Sequence, residues 1–233
     1  SLKYDFPVPI IAAGFSLPFL FNQGNSMWGG NIPSTLAGEF CYSLGFAFLF
    51  LFMGTLYRGI TEKRWLVLNA LLFFCIGFSH AYTLIFSLII GSYFAVTGFR
   101  KNWKYLLGVY GLGFLFLSFW LLPVIANLPY TTSYVCRWGI SSLLEVFPVV
   151  LIPFMLLALA AFWLNRRDQR TGYFLYAVLA CVFIYLISPS IGILDIRFVP
   201  FFQFLLVVFG ATLLPRLIDN FQMKLLTPII IVL

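Results

Sequence analysis

Charged residues are scarce in this chain. Asp, Glu, Lys and Arg make up 9% of its 233 residues, against a mean hydropathy of +1.02. Soluble domains carry about 25% charge, so a water-surrounded globule is excluded. There is one histidine, His80, which leaves no histidine set of the kind that holds a catalytic zinc. The four cysteines form no CxxC or Cys/His spacing, so no metal site is predicted from them. Cys41, Cys75 and Cys181 fall in or just inside apolar runs. Cys136 alone lies in a loop, where a bridge to Cys41 is within geometric reach, although a buried apolar thiol is the commoner state. Neither GxGxxG nor GxxxxGK occurs after a strand, so the glycines make no nucleotide loop. The apolar runs are too long, and too little alternating, for a membrane barrel. Internal repeats are absent by inspection, which weighs against an inverted-repeat transporter.

Long apolar runs, each ended by a short basic cluster, are what the chain does have. The clusters are Arg58/Lys63/Arg64, Arg100/Lys101/Lys104, Arg166/Arg167/Arg170 and Arg216/Lys224, with Lys3 ahead of them. They account for all of the fourteen Lys and Arg except Arg137 and Arg197. The net charge of +7 is therefore a topology signal. No basic surface with aromatic readers remains for nucleic acid, and cytoplasmic loops of membrane proteins collect this charge.

A span needs about 20 apolar residues. On that basis 7–21 runs outward, 22–38 is a polar outer loop and 40–57 returns to an inner loop at 58–65. The uncharged stretch 66–99 would be about 51 Å long as one helix, too long for a ~30 Å core, and both its ends carry basic clusters. It must go out and come back, turning at its one polar break, 77–83, which puts His80 at the outer turn. Next, 105–127 goes out, 128–140 is an outer loop, 141–164 comes in and 165–171 is an inner loop. Finally, 173–187 goes out, 188–197 is an outer loop and 198–214 returns. A further span begins at Leu225. The expected fold is all-α, a polytopic transmembrane bundle of about eight spans plus a truncated ninth, forming one domain over 1–233. The chain opens without an initiator Met and closes on a short apolar run, as a fragment of a longer membrane protein would. Trp65, Trp103 and Trp163 mark the inner boundary; Trp28, Trp120 and Trp138 lie at or toward the outer one.

The outer face collects the polar residues that can do chemistry. In the segment 28–40, paired glycines permit close approach or positive φ, Ser34 and Thr35 can cap a short helix, and Glu39 stands at the mouth of a span. An ionisable residue near membrane depth is a functional candidate by default, so Glu39 is the candidate catalytic residue; its bland alternative is a pair with Arg137 or Arg197. His80 can contact phosphate, move a proton or simply satisfy a loose turn. Arg197 offers a planar, permanently charged fork suited to phosphate, or an ion pair with Asp195 or Glu39 that only fixes the loop. Arg137 is a second phosphate contact or an interfacial anchor, and Glu145 a weaker candidate. Substrate binding is thus assigned to His80, Asp195, Arg197, Arg137 and Asn31, with no metal ligand set.

The stretch Gly29-Gly-Asn-Ile-Pro-Ser-Thr-Leu-Ala-Gly-Glu-Phe-Cys-Tyr-Ser-Leu-Gly45 resembles prokaryotic integral membrane proteins labelled "6-pyruvoyl-tetrahydropterin synthase-related". The resemblance continues in Ser79-His-Ala-Tyr-Thr83, Ser118-Phe-Trp-Leu-Leu-Pro123 and Asp195-Ile-Arg-Phe-Val-Pro200, and covers most of the chain. The pterin label has no counterpart in a chain with one histidine. Proteins of this group look like relatives of the GT-C glycosyltransferases. That likeness implies a plasma-membrane enzyme whose site faces the non-cytoplasmic side. It would move a sugar from a polyprenyl-phosphate donor to a glycan or lipid acceptor, among membrane lipids, with room for a divalent metal ion. GT-C enzymes place a catalytic acid in the first outer loop; if the chain begins several spans in, that acid lies elsewhere and Glu39 supports it. A transporter or lipid flippase, and a non-catalytic scaffold subunit, are the rival expectations.

Overall fold

The computed structural model describes residues 4–131 and 137–215. Its regular structure is helical, with no strand among the described residues. Helix α1 spans Val8–Leu20, α2 Ile32–Leu36, α3 Phe40–Glu62, α4 Leu66–Ser79 and α5 Ala81–Ala126. They are followed by α6 Leu143–Val146, α7 Ile152–Leu164, α8 Gln169–Ile187 and α9 Val199–Gly210.

The break expected inside 66–99 falls at His80, whose extended backbone (φ −161°, ψ 137°) separates α4 from α5. A second reversal lies within α5, where Gly98 leaves helical geometry. Residues roughly equidistant from Gly98 meet across it. The Asn102 amide donates to the Phe94 carbonyl at 3.2 Å, and the Tyr110 hydroxyl to that of Ser87 at 3.0 Å. The two arms of α5 are thus antiparallel, and they touch closely enough that a Cβ at Gly91 would collide with the Tyr110 hydroxyl. Small residues at such crossings are what helix pairs in lipid use, because van der Waals packing replaces the hydrophobic effect there.

Several expected boundaries move. Residues 141–164 do not form one helix. Pro148 disfavours helical backbone at Phe147, leaving α6 as one turn capped by Ser142, and α7 starts at Ile152 with Pro153 in its first turn. Helix α8 begins inside the expected loop 165–171, because Asp168 caps it by accepting from the Arg170 N–H at 2.9 Å. Helix α3 runs on to Glu62, so the turn after it shrinks to Lys63, Arg64 and Trp65. Arg100, Lys101 and Lys104 stand on the outgoing arm of α5, since nothing after Gly98 breaks the helix before its last turn. Cys136, Lys3, Arg216, Lys224 and the span expected from Leu225 lie outside the described residues; Cys41 is exposed.

Three helices, Phe40–Glu62, Ala81–Ala126 and the stretch Gln169–Ile191, are long and apolar enough to cross a membrane. Val8–Leu20, Leu66–Ser79 and Ile152–Leu164 are shorter apolar helices. Large apolar side chains such as Leu115 and Phe119 point outward, as lipid contact requires. Rings of Phe19, Phe46, Phe86, Phe201 and Phe204 fill the interior between α1, α3, α5 and α9.

The bundle has two unlike ends. At one, the Lys63 ammonium lies 3.5 Å from Asn102, Tyr93 donates to the Gln169 carbonyl, and the Arg170 guanidinium sits 4.3 Å over the Tyr4 ring. Three basic clusters therefore gather there. At the other end the polar loop 22–38, the His80 turn and residues 188–198 meet.

Candidate functional site

Loop 22–38 is knitted by its own amides. Asn22, Asn25, Asn31 and Ser34 are all buried. Asn31 accepts from the Ser34 N–H at 2.9 Å, so it caps α2 in place of Ser34 or Thr35. Its amide donates to the Asn22 and Asn25 carbonyls at 2.9 and 3.3 Å. The Ser34 hydroxyl donates to Asn25 and accepts from the Gly29 N–H. Asn25 in turn donates to the Glu145 carbonyl at 2.9 Å, tying the loop to α6. Gly29 (φ 112°) lies against the Tyr42 ring, where a Cβ would come within 2.6 Å; only glycine meets both demands. The paired glycines thus serve close packing, and Asn31 faces inward with its polar atoms engaged.

This platform presents Glu39 one residue before α3. Its carboxylate pairs with the Arg197 guanidinium at 2.5 Å, and both side chains are largely shielded from solvent, 17% and 14% exposed. Arg197 also reaches the Trp28 carbonyl at 3.5 Å and lies 6.0 Å from the Tyr42 ring centre. Tyr42 donates to the Arg197 carbonyl at 2.7 Å. Of the pairings open in the sequence, the structure adopts Glu39–Arg197. Asp195 is buried and accepts from its neighbour Ile196 at 2.8 Å and from the Trp138 N–H at 3.3 Å. It holds the loop that delivers Arg197. Arg137, exposed beside Trp138, lies within electrostatic reach of Tyr185 together with Asp195.

His80 completes the cluster. Its Nδ1 accepts from the Tyr82 N–H at 3.3 Å, which places the proton of the neutral ring on Nε2. The ring packs edge-on to Tyr42 at 5.1 Å and against Tyr82 at 5.6 Å. Burial, followed by the Arg197 charge, lowers the His80 pKa, while Glu39 opposes them. The imidazole is therefore a neutral donor at neutral pH. Tyr82 accepts from the Leu194 N–H at 2.9 Å, pinning the His80 turn to the 188–198 loop.

Glu39, His80, Arg197 and Asp195 are thus drawn together from three distant segments. Glu145 stands apart, half-buried, with its carboxylate bonded to Ser141. Tyr42, the floor of the site, is the residue that sequence reasoning missed. Its position three residues after Glu39, on the same helical face, was the available signal. Trp28, expected in the interfacial belt, is buried in the platform.

Among the described residues no three His, Cys, Asp or Glu side chains converge on one point. Glu39 is engaged by Arg197, and Asp195 by two N–H groups. The model of one family, described as the 6-pyruvoyl-tetrahydropterin synthase related domain and as a membrane protein, matches residues 2–233. No curated protein and no solved structure matches the chain.

Proposed function

Because the chain belongs to the 6-pyruvoyl-tetrahydropterin synthase-related family of membrane proteins, we propose a membrane-face activity for it: the Glu39–Arg197–His80 end transfers a sugar from a polyprenyl-phosphate donor to a glycan or lipid acceptor. In this reading α1, α3, α4, both arms of α5, α7, α8 and α9 are eight crossings of a GT-C-like bundle in a prokaryotic plasma membrane. The basic end is cytoplasmic and the site non-cytoplasmic. With 13 and 14 residues, α1 and α4 are each about 20 Å long, so the site lies below the membrane surface, where the phosphate of a lipid-borne donor sits.

The donor phosphate competes with Glu39 for the Arg197 fork, and His80 Nε2–H donates to it. Glu39, released, accepts the proton of the acceptor hydroxyl as that oxygen bonds to the anomeric carbon. The carbon–oxygen bond to phosphate breaks, and its electron pair leaves with the polyprenyl phosphate beside Arg197. Asp195 positions the Arg197 loop, Arg137 is a second phosphate contact, and Asn31 shapes the platform. The observation that supports this reading is the meeting of a carboxylate, a guanidinium and a neutral imidazole from three segments, at the end opposite the basic clusters.

The test is sugar transfer from a labelled polyprenyl-phosphate donor in membranes carrying the full chain. Glu39→Gln and Arg197→Ala at matched expression are each expected to lower turnover about 10²–10³-fold, the scale for losing a general base or a charge stabiliser. Unchanged turnover in both variants would overturn the assignment. A scaffold role is the second reading, favoured by the internal satisfaction of Glu39, Arg197, Asp195 and Asn31. The exchange Glu39→Arg with Arg197→Glu separates the two: a structural pair is restored by it, whereas catalysis is not.

A further inference from the structure

Two cavities adjoin at the basic end of the bundle. The first, of about 330 Å³, is an apolar groove between α1 and α3, with α8 and α9 behind it. It runs from Tyr4 past Ala12 and Ala13 to Ser16 on one wall, and along Phe50, Met53 and Gly54 on the other. Along α1, the wall from Val8 to Ser16 rises about 12 Å, most of one leaflet of the ~30 Å core. The second, of about 380 Å³, is polar and lies in the α7–α8 turn, lined by residues 163–168. Asp168 and Arg170 bond at 2.7 Å, and Arg170 rests on the Tyr4 ring, so this pair and Tyr4 form the wall between the two spaces. With the Asp168 carboxylate bound to Arg170, the exposed Arg166 and Arg167 set the sign of the polar cavity. Arg166 itself stacks over Trp163 at 5.2 Å, at the level where membrane interfaces concentrate tryptophan.

We infer that this pair of cavities is a binding site for one anionic glycerophospholipid, its headgroup phosphate at Arg166 and Arg167 and one acyl chain in the groove along α1 and α3. The charge of the turn and the depth of the groove argue for that occupant. Basic pockets between helices on the cytoplasmic side capture acidic lipid headgroups, and a guanidinium fork matches a phosphate. A chain-only ligand leaves the polar cavity unused, and a soluble anion leaves the groove unused. The site is independent of the transfer activity proposed for the other end.

The probe is phosphatidylglycerol against phosphatidylcholine, titrated into the full chain in detergent and read by native mass spectrometry. Three proteins are compared: the unaltered chain, the double variant Arg166→Gln/Arg167→Gln, and Ala13→Trp, which fills the groove from an exposed wall position. The unaltered chain is expected to hold one phosphatidylglycerol about thirtyfold more tightly than phosphatidylcholine, the scale of two cations beside an acidic headgroup. The double variant should bind both lipids alike, and Ala13→Trp should lose the bound lipid while melting at the same temperature. Equal binding of the two lipids by the unaltered chain would overturn the headgroup assignment, and undiminished binding by Ala13→Trp the groove assignment.

Discussion

The two ends of the bundle use charge in opposite ways. At the basic end two ion pairs among the described residues are local. Arg58 and Glu62 lie one helical turn apart at 3.6 Å, and Asp168 and Arg170 two residues apart at 2.7 Å. Several of its cations lie over rings: Arg58 over Trp65, Lys104 over Trp103, Arg166 over Trp163. These contacts stabilise their own turns, while Lys63 beside Asn102 and Arg170 over the Tyr4 ring reach other segments through neutral partners, not through opposite charges. At the other end a single pair, Glu39–Arg197, joins residues 158 positions apart and is shielded on both sides. A charge held there must be matched by its partner, because the surroundings supply little solvent. The lesson is that the number of charges at an end does not measure their structural weight.

That contrast is broken most severely by Arg197→Leu. Removing one partner of a shielded pair costs about 3–5 kcal/mol, so the folded fraction in detergent should fall sharply. Arg197→Leu with Glu39→Leu together should recover much of it. Next comes Asn31→Ala, which deletes the α2 cap and two amide bonds to the loop. A lost cap costs about 0.5–2 kcal/mol, read as a lower melting temperature with Arg137 and His80 untouched. Arg58→Gln, at the basic end, is expected to cost only about 1 kcal/mol, from a partly buried helical pair and a ring contact with Trp65. A loss of stability from Arg58→Gln equal to that from Arg197→Leu would erase the distinction between the ends.

How much of this was legible depended on whether a feature had a one-dimensional signature. The His80 turn was readable because two constraints met: an uncharged run too long for one crossing, and basic residues at both of its ends. The gathering of Glu39, His80 and Arg197 followed from the same threading, since the polar loops had to share an end. The Gly98 reversal was placed nearby but as a longer loop, because a two-helix corner on one glycine looks in sequence like a continuous apolar helix. The split at Pro148 was written in the sequence and was overridden by the apolar count of 141–164. The choice among partners for Arg197 had no sequence signature at all: Asp195 is two residues away and Glu39 far off, yet the backbone N–H groups claim Asp195. Asn31 looked available for substrate for the same reason, its carbonyl partners being invisible until the loop is folded.

The subtlest consequence of the site's electrostatics concerns His80. Its pKa is lowered by burial first and by Arg197 second, and raised by Glu39. A histidine lowered in the folded state binds fewer protons there than in the unfolded chain, whose value is about 6.5. Stability from this group is therefore complete above about 6.5 and is lost as pH falls through the folded value. As the only histidine of the chain, His80 gives one imidazole resonance, so its titration can be followed directly by NMR in detergent. Arg197→Ala removes a cation beside the ring, and its pKa should rise toward the ordinary value. Glu39→Gln removes the opposing carboxylate while keeping the shape of the side chain, and the pKa should fall further. The two variants move the same resonance in opposite directions only if both charges face His80 across the Tyr42 ring. Equal shifts of one sign would mean that the ring feels burial alone, and that the three groups are neighbours without forming one electrostatic unit.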